Sequence, residues 1–192
     1  MPLPEGRHAE ALREAIAADG RAHRALLAGD AEGATVSLRE AARRYRESWE
    51  AAPPRSFGRL IGMLKAAVLA GDATEEAAYA RQQLGTSADS PPACYALALA
   101  ALAQCDDATA AEAAAGMRAG SPAFVRTAEA IEALARGDRE AYGRALGAIV
   151  ADFETRPEHL TGVPIADTAV MLERLAASRG MAARPSSALV PA

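Results

Sequence analysis

Asp19 and His23 are the pair of side chains whose types and spacing could do acid–base chemistry. They are four residues apart, so a helix would place both on one face, together with Leu12, Ile16 and Leu27. A carboxylate in that position could orient an imidazole as in a general-base dyad. A histidine paired locally on a helix surface would have the same spacing, and the sequence identifies no nucleophile or substrate pocket beside the pair. We therefore keep Asp19 and His23 as candidate binding residues and assign no catalytic residue.

The stretch from residue 43 to 49 combines three arginines with Tyr45 and Trp49. Such a stretch could bind phosphate or an acidic peptide. On a helix, however, the two aromatic residues fall on one stripe and the arginines elsewhere, each four residues from a glutamate. Solvated ion pairs beside a buried aromatic stripe explain this pattern better. Arg44 and Arg46 remain candidate binding residues on the first interpretation.

The sequence holds none of the short motifs that mark nucleotide-binding loops, zinc proteases, serine-hydrolase elbows or C-x-x-C redox sites. His8 and His159 lack Cys, Asp or Glu at a metal-ligand spacing. We predict neither a metal site nor a cofactor. An enzyme without a local signature stays open, and it would need a polar pocket between helices in which a pair such as Asp19 and His23 converges.

Charge and hydropathy restrict the partners. The net charge is -4, Lys65 is the one lysine, and cations do not cluster beyond residues 43 to 46, which argues against nucleic acid. The first ten residues lack the pattern of a signal peptide, and no run approaches the roughly 18 apolar residues of a membrane span. These features predict a cytoplasmic protein without membrane association, and they leave its oligomeric state open.

Cys94 and Cys105 are the two cysteines. If one helix carries both, they are about 16 Å apart at the helical rise per residue, too far for a disulfide. We expect two buried thiols in a reducing compartment.

The composition favours an all-α fold. Of the 192 residues 51% are hydrophobic, yet aromatic residues make up only 4%, and alanine dominates the apolar set. Alanine is the best helix former and a poor strand former, and its small side chain lets helices approach closely. We expect one α-helical domain over residues 1–192, large enough to bury a real core.

A recurring junction gives the clearest internal pattern. Leu-Ala-Gly-Asp occurs at 27–30 and 69–72, a degenerate Ala-Gln-Cys-Asp at 103–106, and Ala-Arg-Gly-Asp at 135–138. Glycine accepts the left-handed conformation that ends a helix, and the following aspartate can cap the next helix. Turns this short make the two helices antiparallel.

Proline breaks at 53–54, 91–92 and 122 separate these hairpins. Together the two kinds of break predict about nine helices, at 7–28, 31–52, 55–70, 73–85, 92–105, 107–118, 122–136, 139–155 and 165–179. The segment 93–102 has no polar face and should lie at the centre of the stack. Residues 181–192 should form an extended tail that docks Leu189 and Val190 on the body.

The junctions resemble those of the tetratricopeptide-like superfamily, in which a Gly-Asp or similar pair separates the helices of a hairpin and proline follows. The first such unit is LLAGDAEGATVSLREAARRYRESWEAAP. The intervals between junction aspartates are unequal, so the resemblance implies a degenerate stack of helix hairpins. It implies a non-catalytic scaffold that binds a protein or peptide.

The C-terminal part, GDREAYGRALGAIVADFE followed by VPIADTAVMLERLAASRGM, is similar to all-helical bacterial immunity proteins of polymorphic toxin systems. That similarity implies an inhibitor that binds a toxin, with a charged, exposed patch matched to the toxin's active site. It transfers no functional residue to this sequence.

Overall fold

We describe the chain from a computed structural model, which covers residues 6–85 and 88–191. Within these ranges the chain forms nine α-helices and no strand. They are α1 Arg7–Leu27, α2 Ala31–Ala51, α3 Gly58–Ala70, α4 Thr74–Leu84, α5 Pro91–Ala103, α6 Asp107–Met117, α7 Pro122–Ala135, α8 Arg139–Glu154 and α9 Asp167–Ser178. The predicted all-α class and the stacked hairpins are confirmed. Helix α3 begins three residues later than predicted, because Arg55 has a positive φ of 70° that no right-handed helix accepts.

The predicted turns within hairpins are present at all four junctions. Gly29, Gly71 and Gly137 have φ values of 74°, 102° and 70°. At the degenerate junction Cys105 takes the same left-handed conformation, with φ of 58°. A residue with a side chain therefore fills a position that favours glycine.

The junction aspartates cap the helices that follow them. Asp30, Asp106 and Asp138 each accept a hydrogen bond from the backbone N–H three residues ahead, at 2.9, 3.2 and 2.9 Å. Each bond satisfies a donor that the first helical turn leaves free. Asp72 differs, since its carboxylate accepts from the N–H of Thr74, two residues ahead. The sequence pattern thus predicted three of the four caps correctly. At Asp72 the structure has a different turn in place of the predicted cap.

The helices stack in chain order, and the last one closes the stack. Consecutive helices pack as antiparallel neighbours, and α5 contacts α3, α4, α6 and α7. Every residue of α5 from 93 to 102 is buried, so the prediction of a central apolar helix is confirmed. Helix α9 returns to pack on α3, α7 and α8. Its first turn is thereby placed beside residues of the N-terminal hairpins.

Two irregular segments hold α9 in place. The loop from 155 to 166 joins it to α8, and residues 181–191 follow it without further helix. In this tail Leu189 and Val190 pack against the core as predicted, and Leu189 O accepts a hydrogen bond of 2.8 Å from Ala166 N. The carboxylate of Glu173 accepts two backbone N–H groups of the tail, at 3.0 and 2.7 Å. Ala192, the last residue of the predicted tail, lies outside the described residues.

The cysteine prediction was half right. Cys94 is buried, but Cys105 is exposed. Cys105 occupies the turn between α5 and α6, and connecting turns usually lie at the surface. A buried thiol there was therefore the wrong expectation.

None of the helices described here combines the length and the apolar character needed to cross a lipid bilayer.

Candidate functional site

A pocket opens between α1 and α3. Its volume is about 280 Å³, and we call it the interhelical pocket. Tyr45 of α2, Leu160 of the 155–166 loop and Asp167 of α9 complete its walls. The apolar lining includes Leu12, Ile16, Ile61, Ala66, Leu69 and Leu160, and the polar lining consists of Asp19, His23, Tyr45, Arg59, Lys65 and Asp167.

Helical spacing explains why these side chains meet. Leu12, Ile16, Asp19 and His23 follow one another by three or four residues, so they share one face of α1. On α3, residues 58, 62, 66 and 61, 65, 69 form two adjacent rows. Gly62 lets the two hairpins approach, because a Cβ built there would lie 2.7 Å from the Tyr45 ring.

Asp19 is a mostly buried carboxylate with a neutral partner. Its Oδ2 accepts a hydrogen bond of 2.8 Å from the Tyr45 hydroxyl. Burial raises the pKa of Asp19 to about 6, the neighbouring Asp167 adds to this rise, and the Tyr45 hydrogen bond and Lys65 oppose it. The same burial and the nearby carboxylate raise the pKa of Tyr45 above its usual value, so the phenol keeps its proton and donates it.

His23 is buried, with 4% of its surface exposed. Its Nδ1 lies 3.0 Å from Thr161 Oγ1, which ties α1 to the 155–166 loop. Burial lowers the pKa of His23 to about 4; Lys65 and Arg24 add to this effect and Asp167 opposes it. The imidazole is therefore neutral near pH 7.

Lys65 and Asp167 form an ion pair that joins α3 to the first residue of α9. Lys65 Nζ also donates to Thr168 Oγ1 at 3.1 Å, and Asp167 Oδ1 accepts from Thr168 N at 2.7 Å. Burial alone would lower the pKa of Lys65 and raise that of Asp167. Their mutual attraction outweighs it, so the pKa of Lys65 is raised and that of Asp167 is lowered. Both groups are charged at neutral pH.

Asp19 and His23 each keep one polar atom without a protein partner. Their hydrogen bonds within the described residues use Oδ2 and Nδ1, which leaves Asp19 Oδ1 and His23 Nε2 free. Neither atom is sealed from solvent. In the part of the chain that the structure describes, no group of three or more His, Cys, Asp or Glu side chains could hold a metal ion.

The four candidate residues from the sequence fall into two groups. Asp19 and His23 both line the pocket, but Asp19 bonds to Tyr45 and His23 to Thr161, so the two do not form the dyad that their spacing suggested. Arg44 and Arg46 lie outside the pocket. Arg44 pairs with Glu14 and Glu47, at 2.9 and 3.0 Å.

Arg46 pairs with Glu50 at 3.1 Å and Glu75 at 3.3 Å, and its guanidinium lies 3.9 Å from the centre of the Tyr79 ring. The predicted surface ion pairs are therefore present in this stretch; of the predicted buried aromatic stripe, Tyr45 is buried and Trp49 is partly buried. A binding role for Arg44 and Arg46 stays a prediction.

Sequence reasoning missed Lys65, Asp167 and Thr161 as members of the site. Lys65 carried a usable signal, because the one lysine of the chain lies within the apolar segment of α3. A charged residue in such a segment needs a buried partner. Asp167 and Thr161 gave no local signal, since their places depend on the return of α9 to the N-terminal hairpins.

Comparison with known proteins gives no assignment for this site. No protein-family model, curated protein or solved structure matches the chain. The pocket has to be interpreted from its own geometry.

Proposed function

We propose that this chain is a ligand-binding helical domain and that its interhelical pocket holds a small amphipathic organic molecule. The observation that carries the proposal is the combination, in one cavity lining, of an apolar wall with Asp19 and His23, whose Oδ1 and Nε2 have no partner among the described residues. Small-molecule sites typically have this make-up, with a few polar groups that fix the orientation of the ligand. The cavity of about 280 Å³ suits a compact molecule.

The network beneath the pocket supports this proposal. The pairs Tyr45–Asp19, Thr161–His23 and Lys65–Asp167 each link two different elements. Polar groups fixed in this way are preorganised, so a ligand does not have to order them on binding. A gap left by imperfect packing would not need hydrogen bonds and an ion pair between the elements that surround it.

Three other hypotheses stay predictions. The helical enzyme would use this same pocket, and the raised pKa of Asp19, about 6, favours proton transfer there. The peptide-binding scaffold and the immunity-type inhibitor would use a protein partner on an outer surface. Packing of α9 on α3, α7 and α8 limits an open groove on that side, and we therefore rank the pocket first. A cytoplasmic location also stays a prediction.

A polarity-sensitive dye tests the proposal. N-phenyl-1-naphthylamine is uncharged and fluoresces strongly in apolar surroundings, so we expect saturable binding to one site on the wild-type chain. Ile61→Trp adds bulk to the pocket wall and should lower the affinity for the dye about tenfold or more, which corresponds to about 1.4 kcal/mol of binding free energy. Val36→Trp is the matched control, because Val36 is a β-branched residue on α2 that is 65% exposed.

Circular dichroism and thermal unfolding establish that both variants fold. Retained dye affinity in folded Ile61→Trp, or an equal loss in Val36→Trp, would overturn the pocket as the binding site. Absence of saturable binding to the wild type would overturn the proposed function itself.

A further inference from the structure

The two carboxylates of the interhelical pocket, those of Asp19 and Asp167, have different partners. Lys65 bonds directly to Asp167 and to Thr168, while Asp19 is bonded to the neutral Tyr45 hydroxyl.

Arg59 is a second cation on the pocket lining, but among the described residues no ion pair joins it to Asp19. Its Nε donates to Ser48 Oγ at 2.7 Å. The charges that move the pKa of Asp19 are those of Lys65 and Asp167. A buried carboxylate without a cationic partner is costly, so the free side of Asp19 has a place for a positive charge.

The free atoms of the pocket are both hydrogen-bond acceptors. Asp19 Oδ1 is an acceptor when the carboxylate is ionised. We assign the ring proton of His23 to Nδ1, which donates to Thr161 Oγ1 over 3.0 Å. His23 Nε2 then presents a lone pair, because burial keeps this imidazole neutral. A ligand that satisfies both atoms must bring donors.

We infer that the ligand of the interhelical pocket is an organic cation, a primary amine on an apolar body, whose ammonium group binds Asp19 Oδ1 and His23 Nε2. An ammonium group has three donors, no acceptor and the positive charge that the neutral Tyr45 hydroxyl does not give Asp19. The apolar body packs against Leu12, Ile16 and Ile61. This inference rests on the proposed function, since it names the chemical class of the molecule held there.

A series of three near-isosteric compounds tests the inference. 2-Phenylethylamine, 2-phenylethanol and 3-phenylpropanoate present the same ring with a cationic, a neutral and an anionic head. Displacement of the neutral dye at about pH 7.5 should give the amine an affinity about tenfold or more above that of the alcohol. The carboxylate should bind least.

Asp19→Asn identifies the group that selects charge. It should reduce the preference for the amine over the alcohol to about twofold or less, while the neutral dye still binds. Glu10→Gln is the matched control, because Glu10 is an exposed carboxylate on the same helix, and it should keep the preference. A folded Asp19→Asn chain that still selects the amine would overturn the inference.

The pH dependence gives a second readout. The carboxylate of Asp19 is faced by His23 on its own helix, Tyr45 on α2, Lys65 on α3 and Asp167 on α9. Of these groups, Asp19 itself titrates between pH 7.5 and 5, with a pKa of about 6. The amine keeps its charge over this range, so its affinity should fall about tenfold as Asp19 becomes protonated, and the alcohol should be unaffected.

The outcomes separate the two claims. Equal binding of amine and alcohol, or tighter binding of the carboxylate, overturns the amine assignment while the dye result still supports the pocket. Failure of the dye and of all three compounds to bind overturns the proposed function.

Discussion

Lys65→Met removes the cation that pairs with Asp167 while nearly keeping the length of the side chain. The pair that it breaks is largely buried, with 16% of the Lys65 side chain and 23% of the Asp167 side chain exposed. Loss of one partner of a buried ion pair costs about 3–5 kcal/mol, because the other charge stays buried alone. Both groups keep some contact with solvent, so we expect about 3 kcal/mol, the lower end of that range.

The free energy of unfolding should be measured by urea denaturation followed by circular dichroism. A loss of about 3 kcal/mol shifts the midpoint by about 1–2 M for a chain of this size. Arg144→Met is the matched control, since Arg144 forms an ion pair with Glu140 in which the side chains are 66% and 87% exposed. Such a surface pair contributes less than about 0.5 kcal/mol.

The loss in the free energy of unfolding caused by Lys65→Met should depend on pH. In the wild type Lys65 holds the pKa of Asp167 below its ordinary value, so this carboxylate stabilises the fold at neutral pH and loses that effect as the pH falls through its folded pKa. Without Lys65, burial raises the pKa of Asp167. The stability loss of the variant is then largest at neutral pH and shrinks as the pH falls through that raised pKa, where the carboxyl becomes protonated. A loss of unfolding free energy below about 1 kcal/mol, or a loss that does not change with pH, would refute this reasoning.

Three further predictions concern the packing and the turns, and urea midpoints check all of them. Gly62→Ala should lower the free energy of unfolding by about 1–3 kcal/mol, because the new Cβ would lie 2.7 Å from the Tyr45 ring. Gly147→Ala is its control: the new Cβ meets no atom within 4 Å, so this change should raise the free energy of unfolding by about 0.5–1 kcal/mol. Cys105→Gly should add up to about 1 kcal/mol by relieving a left-handed residue with φ of 58°, and unchanged stability would argue against that strain. Asp138→Ala should cost about 1 kcal/mol through loss of a helix cap, and a neutral result would mean that water replaces the carboxylate.

The sequence predicted the helices well because their ends are local. A Gly-Asp junction or a proline acts within a few residues of itself, so the bounds of α6, α7 and α8 agree with the prediction to within a residue. The degenerate junction at 103–106 was predicted as well, with Cys105 in the place of the usual glycine, whereas the predicted burial of Cys105 was wrong.

The site was only partly predictable, for a physical reason. The spacing of Asp19 and His23 correctly put both on one helix face, but it could not give their partners. Tyr45 is 26 residues from Asp19, and Asp167 is 102 residues from Lys65. The first bond depends on how α1 and α2 pack in their hairpin, and the second on where α9 packs, and the spacing within one helix encodes neither.

The account depends most on the interhelical pocket being the place where a small molecule binds. Intermolecular nuclear Overhauser effects from 2-phenylethylamine to methyl-labelled protein test this directly. We predict contacts from the phenyl ring to the methyl groups of Leu12, Ile16 and Ile61, lost in Ile61→Trp. Contacts confined to methyl groups elsewhere, such as those of Val36 on the exposed face of α2, would contradict the account.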